Sequence, residues 1–315
     1  MQTKLLSFLL VLCLCLSLFT GCKKEASSSA GGISYTDALG RTVSLPKKPQ
    51  RVAALLGSFA DLWILAGGEV CAAPEDAWED FSLELPHAIH LGGAHSPNSE
   101  QLLASDPDLV LASASTASHV ELLSLLEQTG VPVVYFDIDS FRDYLSMLEL
   151  CTRLTDRRDL FEEKGLRIQQ RIQTLKDDLT AQNLPEEQKR ILLLRVSSGS
   201  LKAKGSTGTI LGEMLADLGC INIADSNSSL LETLSVESIL SLDPYRIFVV
   251  TMGSDPQKAE SSLWELLQGD PAWASLEAVK AGRVHIMNRA LFHTKPNERW
   301  GDSYEILYSI LTETT

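Results

Sequence analysis

The sequence predicts an α/β protein of two lobes, each a parallel sheet covered by helices, joined by a single long helix. Three observations carry this expectation. Apolar runs rich in Val, Ile and Leu alternate with stretches of helical periodicity in both halves of the chain, as parallel strands covered on both faces require. A charged, helix-patterned stretch lies between the halves. The unit SEQLLASDPDLVL, Ser99 to Leu111, returns as VESILSLDPYRIF, Val236 to Phe248.

The 315 residues suffice for about two domains. The start reads as an export segment. Lys4 precedes an apolar run, residues 5–19, ending at Thr20-Gly21-Cys22. That run is shorter than the roughly 20 residues of a membrane span and has the layout of a signal peptide over 1–21. Its ending, LFTGC, resembles a bacterial lipoprotein signal in which Cys22 receives lipid; Phe19 stands where such signals usually carry Leu. A plain secretory signal is the other reading. More than one acyl chain on Cys22 would hold the protein stably at a membrane face. Residues 22–33, with KKEASSSAGG, read as a flexible tether.

The first lobe, 34–155, begins its sheet at RVAALL, after which Ser58 is expected to cap the helix FADLWILA and Gly67-Gly68 to stop it. LVLAS (109–113) and PVVYF (132–136) read as buried strands around the helix HVELLSLLEQTG. Residues 140–182 read as almost wholly helical. In the interlobe helix, assigned to 156–182, Ile168, Ile172, Leu175 and Leu179 form one apolar stripe on a charged rod. NLPEEQK breaks it. The second lobe, 183–315, offers strands RILLLRV (190–196), RIFVVTM (246–252) and VHIM (284–287). Its helices are TILGEMLADLG, SSLWELLQ and a closing RWGDSYEILYSIL.

The repeated unit has a local explanation. Asn98 and Ser235 each stand two residues before a glutamate, and both residue types cap helix N-termini. Glu100 and Glu237 then fall in first turns, where the helix dipole favours negative charge. Pro107 and Pro244 end each helix, because the residue before proline avoids the α region. Each half thus presents one Glu at an exposed helix start.

Composition excludes several functions. A net charge of −14 argues against nucleic-acid binding. KAKGSTGT lacks the order of a phosphate loop, and no G-x-S-x-G elbow marks a hydrolase. Cys71, Cys151 and Cys220 show no CxxC spacing and read as small buried hydrophobes, with one Cys71–Cys151 bridge within the first half as the alternative. His87, His90 and His95 lie in a Pro- and Gly-containing stretch without the spacing of helical metal ligands, and no direct metal site is expected.

With DALGRTVSLPKKPQRVAAL at the start, the two Glu units, and WASLEAVKAGRVHIM near the end, the chain resembles the substrate-binding proteins of bacterial ABC importers for iron–siderophore complexes, haem and cobalamin. The resemblance covers about residues 34–312. It implies two Rossmann-like lobes with the ligand in the cleft between them. It also implies a non-catalytic monomer, exported and lipid-anchored at the outer face of the cytoplasmic membrane, or on the periplasmic side where an outer membrane exists. No cofactor is implied. The partners are a ferric siderophore or other metal chelate, with haem or cobalamin as the alternative, and a permease dimer with its ATPase. By motif position Glu100 and Glu237 would meet arginines of that permease. An exported two-lobed enzyme is the remaining alternative.

Ligands of open α/β sheets bind beyond the strand C-termini. The residues that follow the strands are therefore the candidate ligand contacts: Ser58, Phe59, Trp78 and His95 in the first lobe, and Arg195 with Lys202 and Lys204 of the loop SLKAKGSTGT in the second. His293, Lys295, Arg299 and Trp300 follow the last strand. The cations would suit an anionic ligand, the tryptophans a flat one, and His95 an axial contact to haem iron.

Overall fold

The computed structural model describes residues 33–45, 48–253 and 255–313. The signal segment, the tether up to residue 32 and Cys22 lie outside the described residues. The first lobe opens with an antiparallel hairpin, β1 (Ile33–Thr36) and β2 (Thr42–Leu45). Five parallel strands follow: β3 (Val52–Ala54), β4 (Val70–Ala73), β5 (Ile89–His90), β6 (Leu109–Ser113) and β7 (Val133–Phe136), in spatial order β5-β4-β3-β6-β7. The second lobe orders β10 (Ile221–Asn222), β8 (Arg190–Ser197), β11 (Arg246–Thr251) and β12 (Val284–Met287) in parallel. The segment SLKAK, expected as loop, is a strand: β9 (Ser200–Lys204) returns antiparallel along β8.

The core explains why the lobes hold together. Successive residues of a strand face opposite sides, so Leu193 of β8 joins one apolar cluster while Leu192 and Leu194 join another. The first of these clusters is continuous across the molecule. It runs from Val52, Phe59 and Trp63 through Ile172 and Leu179 to Leu193 and Phe248. Separate clusters fill the outer faces of the two sheets. Ile172 and Leu179 are buried and Ile168 and Leu175 pack against the same cluster, the stripe the spacing predicts.

The joining rod is less regular than its sequence suggests. Helical residues Arg158–Phe161 pass through a π-turn, Glu162–Leu166, into the helix Arg167–Gln182. A π-turn disturbs the regular ladder of backbone bonds. Here the buried Tyr144 hydroxyl donates to the Lys164 carbonyl at 2.9 Å. The C-terminal helix Trp300–Thr312 lies beside the rod, and Arg171 holds it through Asp302 (2.9 Å) and Glu305 (2.5 Å). A second tie bypasses the rod. Buried Asn297 donates through Nδ2 to the Ser58 carbonyl (2.8 Å) and to Asp61 Oδ2 (2.7 Å) of the first lobe.

One local expectation is corrected, and one alternative is excluded. Ser58 does not cap its helix, which begins at Gly57 with Leu56 in the cap position and no side-chain cap there. The Gly57 N–H instead donates to Asp76 Oδ2 at 3.0 Å. A Cβ at Gly57 would stand 2.6 Å from the Ala77 nitrogen, so glycine permits that close approach. The Cys71–Cys151 bridge is absent: both thiols are free. They belong to opposite faces of the first sheet, Cys151 in the continuous cluster and Cys71 against the outer one.

Candidate functional site

The crevice between the lobes is a cavity of about 410 Å³, open to solvent and lined from both sides. Its walls come from chain segments that follow strands. Ser58 follows β3, Asp76 and Asp80 follow β4, His95 follows β5 and Asp139 follows β7. From the second lobe come Arg195 near the end of β8, and Arg289, His293 and Lys295 after β12. An adjoining hollow of about 530 Å³ shares Asp80, Arg289 and Thr294 and extends over the ends of β11 and β12 at Thr251 and Met287. This is the position ligands take in parallel α/β sheets.

The second-lobe wall is cationic. Arg195 is half-buried, has no ion pair among the described residues, and burial disfavours its charge. Lys202 stands directly across the β8–β9 pair from it, and Lys204 is opposite Leu193 two residues along. Alternation therefore puts all three cations on one face of the hairpin. Burial, followed by Arg195 and Lys202, pushes Lys204 down. Burial also pushes Lys295 down, with Asp139, Asp137 and Asp76 opposing in that order. Arg289 reaches across the cleft to Asp80 at 3.7 Å, an exposed pair worth little alone.

The first-lobe wall is acidic and hydroxylated. Burial raises Asp76, whose Oδ2 serves Gly57 while its buried Oδ1 has no hydrogen-bond partner among the described residues. Asp139 is raised by burial and then by Asp137, with Lys295 opposing. Ser113, Ser115 and Thr116 add hydroxyls, and buried His119 backs this wall by bonding the Ser113 N–H and the Ala94 carbonyl.

His293 sits among the cations, and its protonation has a definite sign. Burial, then Arg195, Arg289 and Lys295, push it from 6.5 down to about 4. The unfolded chain binds this proton below about pH 6.5 while the folded one holds the ring neutral. The contribution of His293 to stability is thus complete above pH 6.5 and is lost as pH falls toward 4. Thermal melts should show a fall in Tm through that window, and His293→Gln should make the fall shallower. A variant profile parallel to wild type would exclude this role.

Of the residues expected at the cleft, Ser58, His95, Arg195, His293 and Lys295 line it. The others are corrected. Phe59 and Trp300 are fully buried: Phe59 packs edge-on against Phe136, and Trp300 against Phe141. Trp78 stacks on His90 at 4.7 Å between ring centres and packs on the core. Arg299 is exposed on the short 3-10 turn Asn297–Arg299 and does not line the cavity. Lys202 and Lys204 flank the cleft from β9 and are absent from its lining. Asp76, Asp80, Asp139 and Arg289 were not anticipated. Arg289 obeys the same rule as Lys295, since it also follows VHIM; the acids carried no signal beyond their position after strands.

His87 and His90 are exposed, and no cluster of three or more metal-ligating side chains occurs among the described residues. No described helix is long and apolar enough to cross a membrane.

The glutamates of the repeated unit occupy matching sites. The Asn98 side chain accepts from the Glu100 and Gln101 N–H groups (2.9 and 3.0 Å), and Ser235 accepts from Ser238 (3.2 Å). Both carboxylates are exposed in first turns, on helices Ser99–Ala104 and Val236–Leu242. Asp106 and Asp243, each before proline, share left-handed φ values of 48° and 43°.

Residues 52–290 match the periplasmic binding protein family. The ferric-anguibactin-binding protein FatB of Vibrio anguillarum is 32% identical over 138 residues, which cover 41% of this chain and 41% of FatB, less than half its length. Among solved structures, Staphylococcus aureus SirA complexed with staphyloferrin B aligns with a TM-score of 0.68 at 20% identity, covering 89% of this chain and 98% of SirA. The vitamin B12 binding protein BtuF of Vibrio cholerae gives 0.66 at 20% identity, covering 84% and 98%. These two share the two-lobed fold.

Proposed function

The chain belongs to the periplasmic binding protein family, and from that premise we propose that it captures an iron(III) chelate between its lobes and delivers it to a membrane ABC permease. The observation that carries this reading is Arg195. A half-buried guanidinium without a counter-ion among the described residues, facing a cavity beyond the strand ends, is placed to hold an anion. The similarity to a ferric-siderophore-binding protein supports iron as the cargo. Ser58, His95, Arg195, His293 and Lys295 contact the cargo in this reading, with Lys202 and Lys204 drawing it in from the flank.

The lobes are assigned to 34–155 and 183–315, with 156–182 between them. Glu100 and Glu237 dock on the permease, one from each lobe. The protein acts as a monomer without catalysis, held at the membrane through lipid on Cys22 after loss of residues 1–21. Haem or cobalamin is the second reading, supported by the two imidazoles of His95 and His293 on the cavity wall.

Mass spectrometry of what co-purifies with the protein from its native host tests the cargo. Tryptophan-fluorescence titration with ferric chelates, haem and cobalamin then ranks affinities. An iron chelate is expected in both experiments, and turnover of the bound compound would overturn the non-catalytic reading.

A further inference from the structure

The two walls of the cleft carry more information than the sign of its charge. Arg195 has no acidic partner among the described residues, and Arg195, Arg289 and Lys295 all bear on His293. Arg289 already meets Asp80 at 3.7 Å and Lys295 faces Asp139, so Arg195 is the cation of the three left without an anion; that is unfavourable, and its partner is a group of concentrated negative charge. Opposite them, Asp76 Oδ1 is buried with no donor among the described residues. Its other oxygen is committed to the Gly57 N–H, so Oδ1 is a free acceptor on that wall. Hydroxyls of Ser113, Ser115 and Thr209 complete the polar lining.

Apolar platforms are scarce. Among the described residues Phe81 is the one Phe, Tyr or Trp in the lining, since Trp300 and Phe59 are buried in the core and Trp78 stacks on His90. A macrocyclic disc is held mainly by aromatic and aliphatic walls. These walls instead offer cations, carboxylates and hydroxyls.

We infer that the cargo is an oxygen-rich, carboxylate-bearing iron(III) chelate, its carboxylates held by Arg195, Arg289 and Lys295 while one of its hydroxyl or N–H groups donates to Asp76 Oδ1. This rests on the iron-chelate reading above and narrows it to one chemical class. A neutral hydroxamate chelate gives the cations nothing to neutralise, and a porphyrin leaves Asp76 without a donor.

Calorimetric titration of the purified protein with four probes tests the class: iron(III)–citrate, an iron(III) tris-hydroxamate without carboxylates, haem and cobalamin. Iron(III)–citrate should bind at least about tenfold more tightly than each of the others, and more weakly as salt is raised. Arg195→Gln should weaken citrate binding at least about tenfold, with Arg195→Lys intermediate, as expected for loss of a charge-assisted bidentate contact. Should Arg195→Gln fold poorly, Arg289→Gln at the more exposed side gives the same readout. Equal or tighter binding of the hydroxamate, haem or cobalamin overturns the class while leaving capture of a chelate or macrocycle standing. Citrate affinity unchanged in the arginine variants also overturns it. Failure of all four probes removes the transport reading and this inference with it.

Discussion

Cells whose only copy of the protein carries Glu100→Ala together with Glu237→Ala are expected to lose uptake of the cargo, while the purified variant binds that cargo as wild type does. The two carboxylates are exposed, sit in the first turns of short capped helices, and lie outside the cleft lining. Removing them therefore leaves the cavity intact. Their helices keep the Asn98 and Ser235 caps, so stability should change little. Truncating one side of an interfacial charge pair costs about 2 kcal/mol or more, so two distant pairs together weaken docking by roughly a thousandfold. Each single variant should retain partial uptake. Radioiron uptake at a fixed chelate concentration measures the effect, and normal transport by the double variant would rule out the docking role.

Trp300→Ala should be among the most destabilising single changes, at about 3–5 kcal/mol. Trp300 is fully buried, meets Phe141 of the first lobe edge-on at 6.0 Å, and lies near Tyr304. Truncation opens a void where the first lobe, the rod and the C-terminal helix meet, and the surrounding backbone cannot collapse to fill it. Its indole Nε1 has no hydrogen-bond partner among the described residues, so the cost of losing it is one of packing. Chemical denaturation followed by circular dichroism gives the number. A variant of unchanged stability but reduced cargo affinity would return Trp300 to the cleft, against its burial.

Much of the fold was legible because its central strands are long and apolar. LVLAS, RILLLRV and RIFVVT read as strands covered on both faces, and all five residues of β6 and all six of β11 are buried. The short strands left no such trace: β5 and β10 are two residues each and are defined by pairing with a neighbour. β9 reads as a loop in the sequence because its one serine and two lysines alternate around a single buried alanine, Ala203, a pattern also found in coil.

The candidate site divides along similar lines. Arg195, His293 and Lys295 were found by counting from strand ends, a rule the backbone obeys whatever the side chains do. Phe59 and Trp300 were misassigned because residue type cannot say which side of a helix faces the core. Asp76 was missed because its importance comes from the Gly57 N–H, a tertiary partner far from it in sequence.

The apolar cluster that passes through the rod has a consequence for how such a chain can evolve. Part of the core of either lobe belongs to a surface shaped by the other, at Ile172, Leu179, Leu193 and Phe59. Splicing the front of this chain to the back of a relative would leave mismatched contours along that seam. Recognition of new cargo is therefore reached by altering loops at the mouth of the cavity, while exchange of whole halves meets a steric barrier.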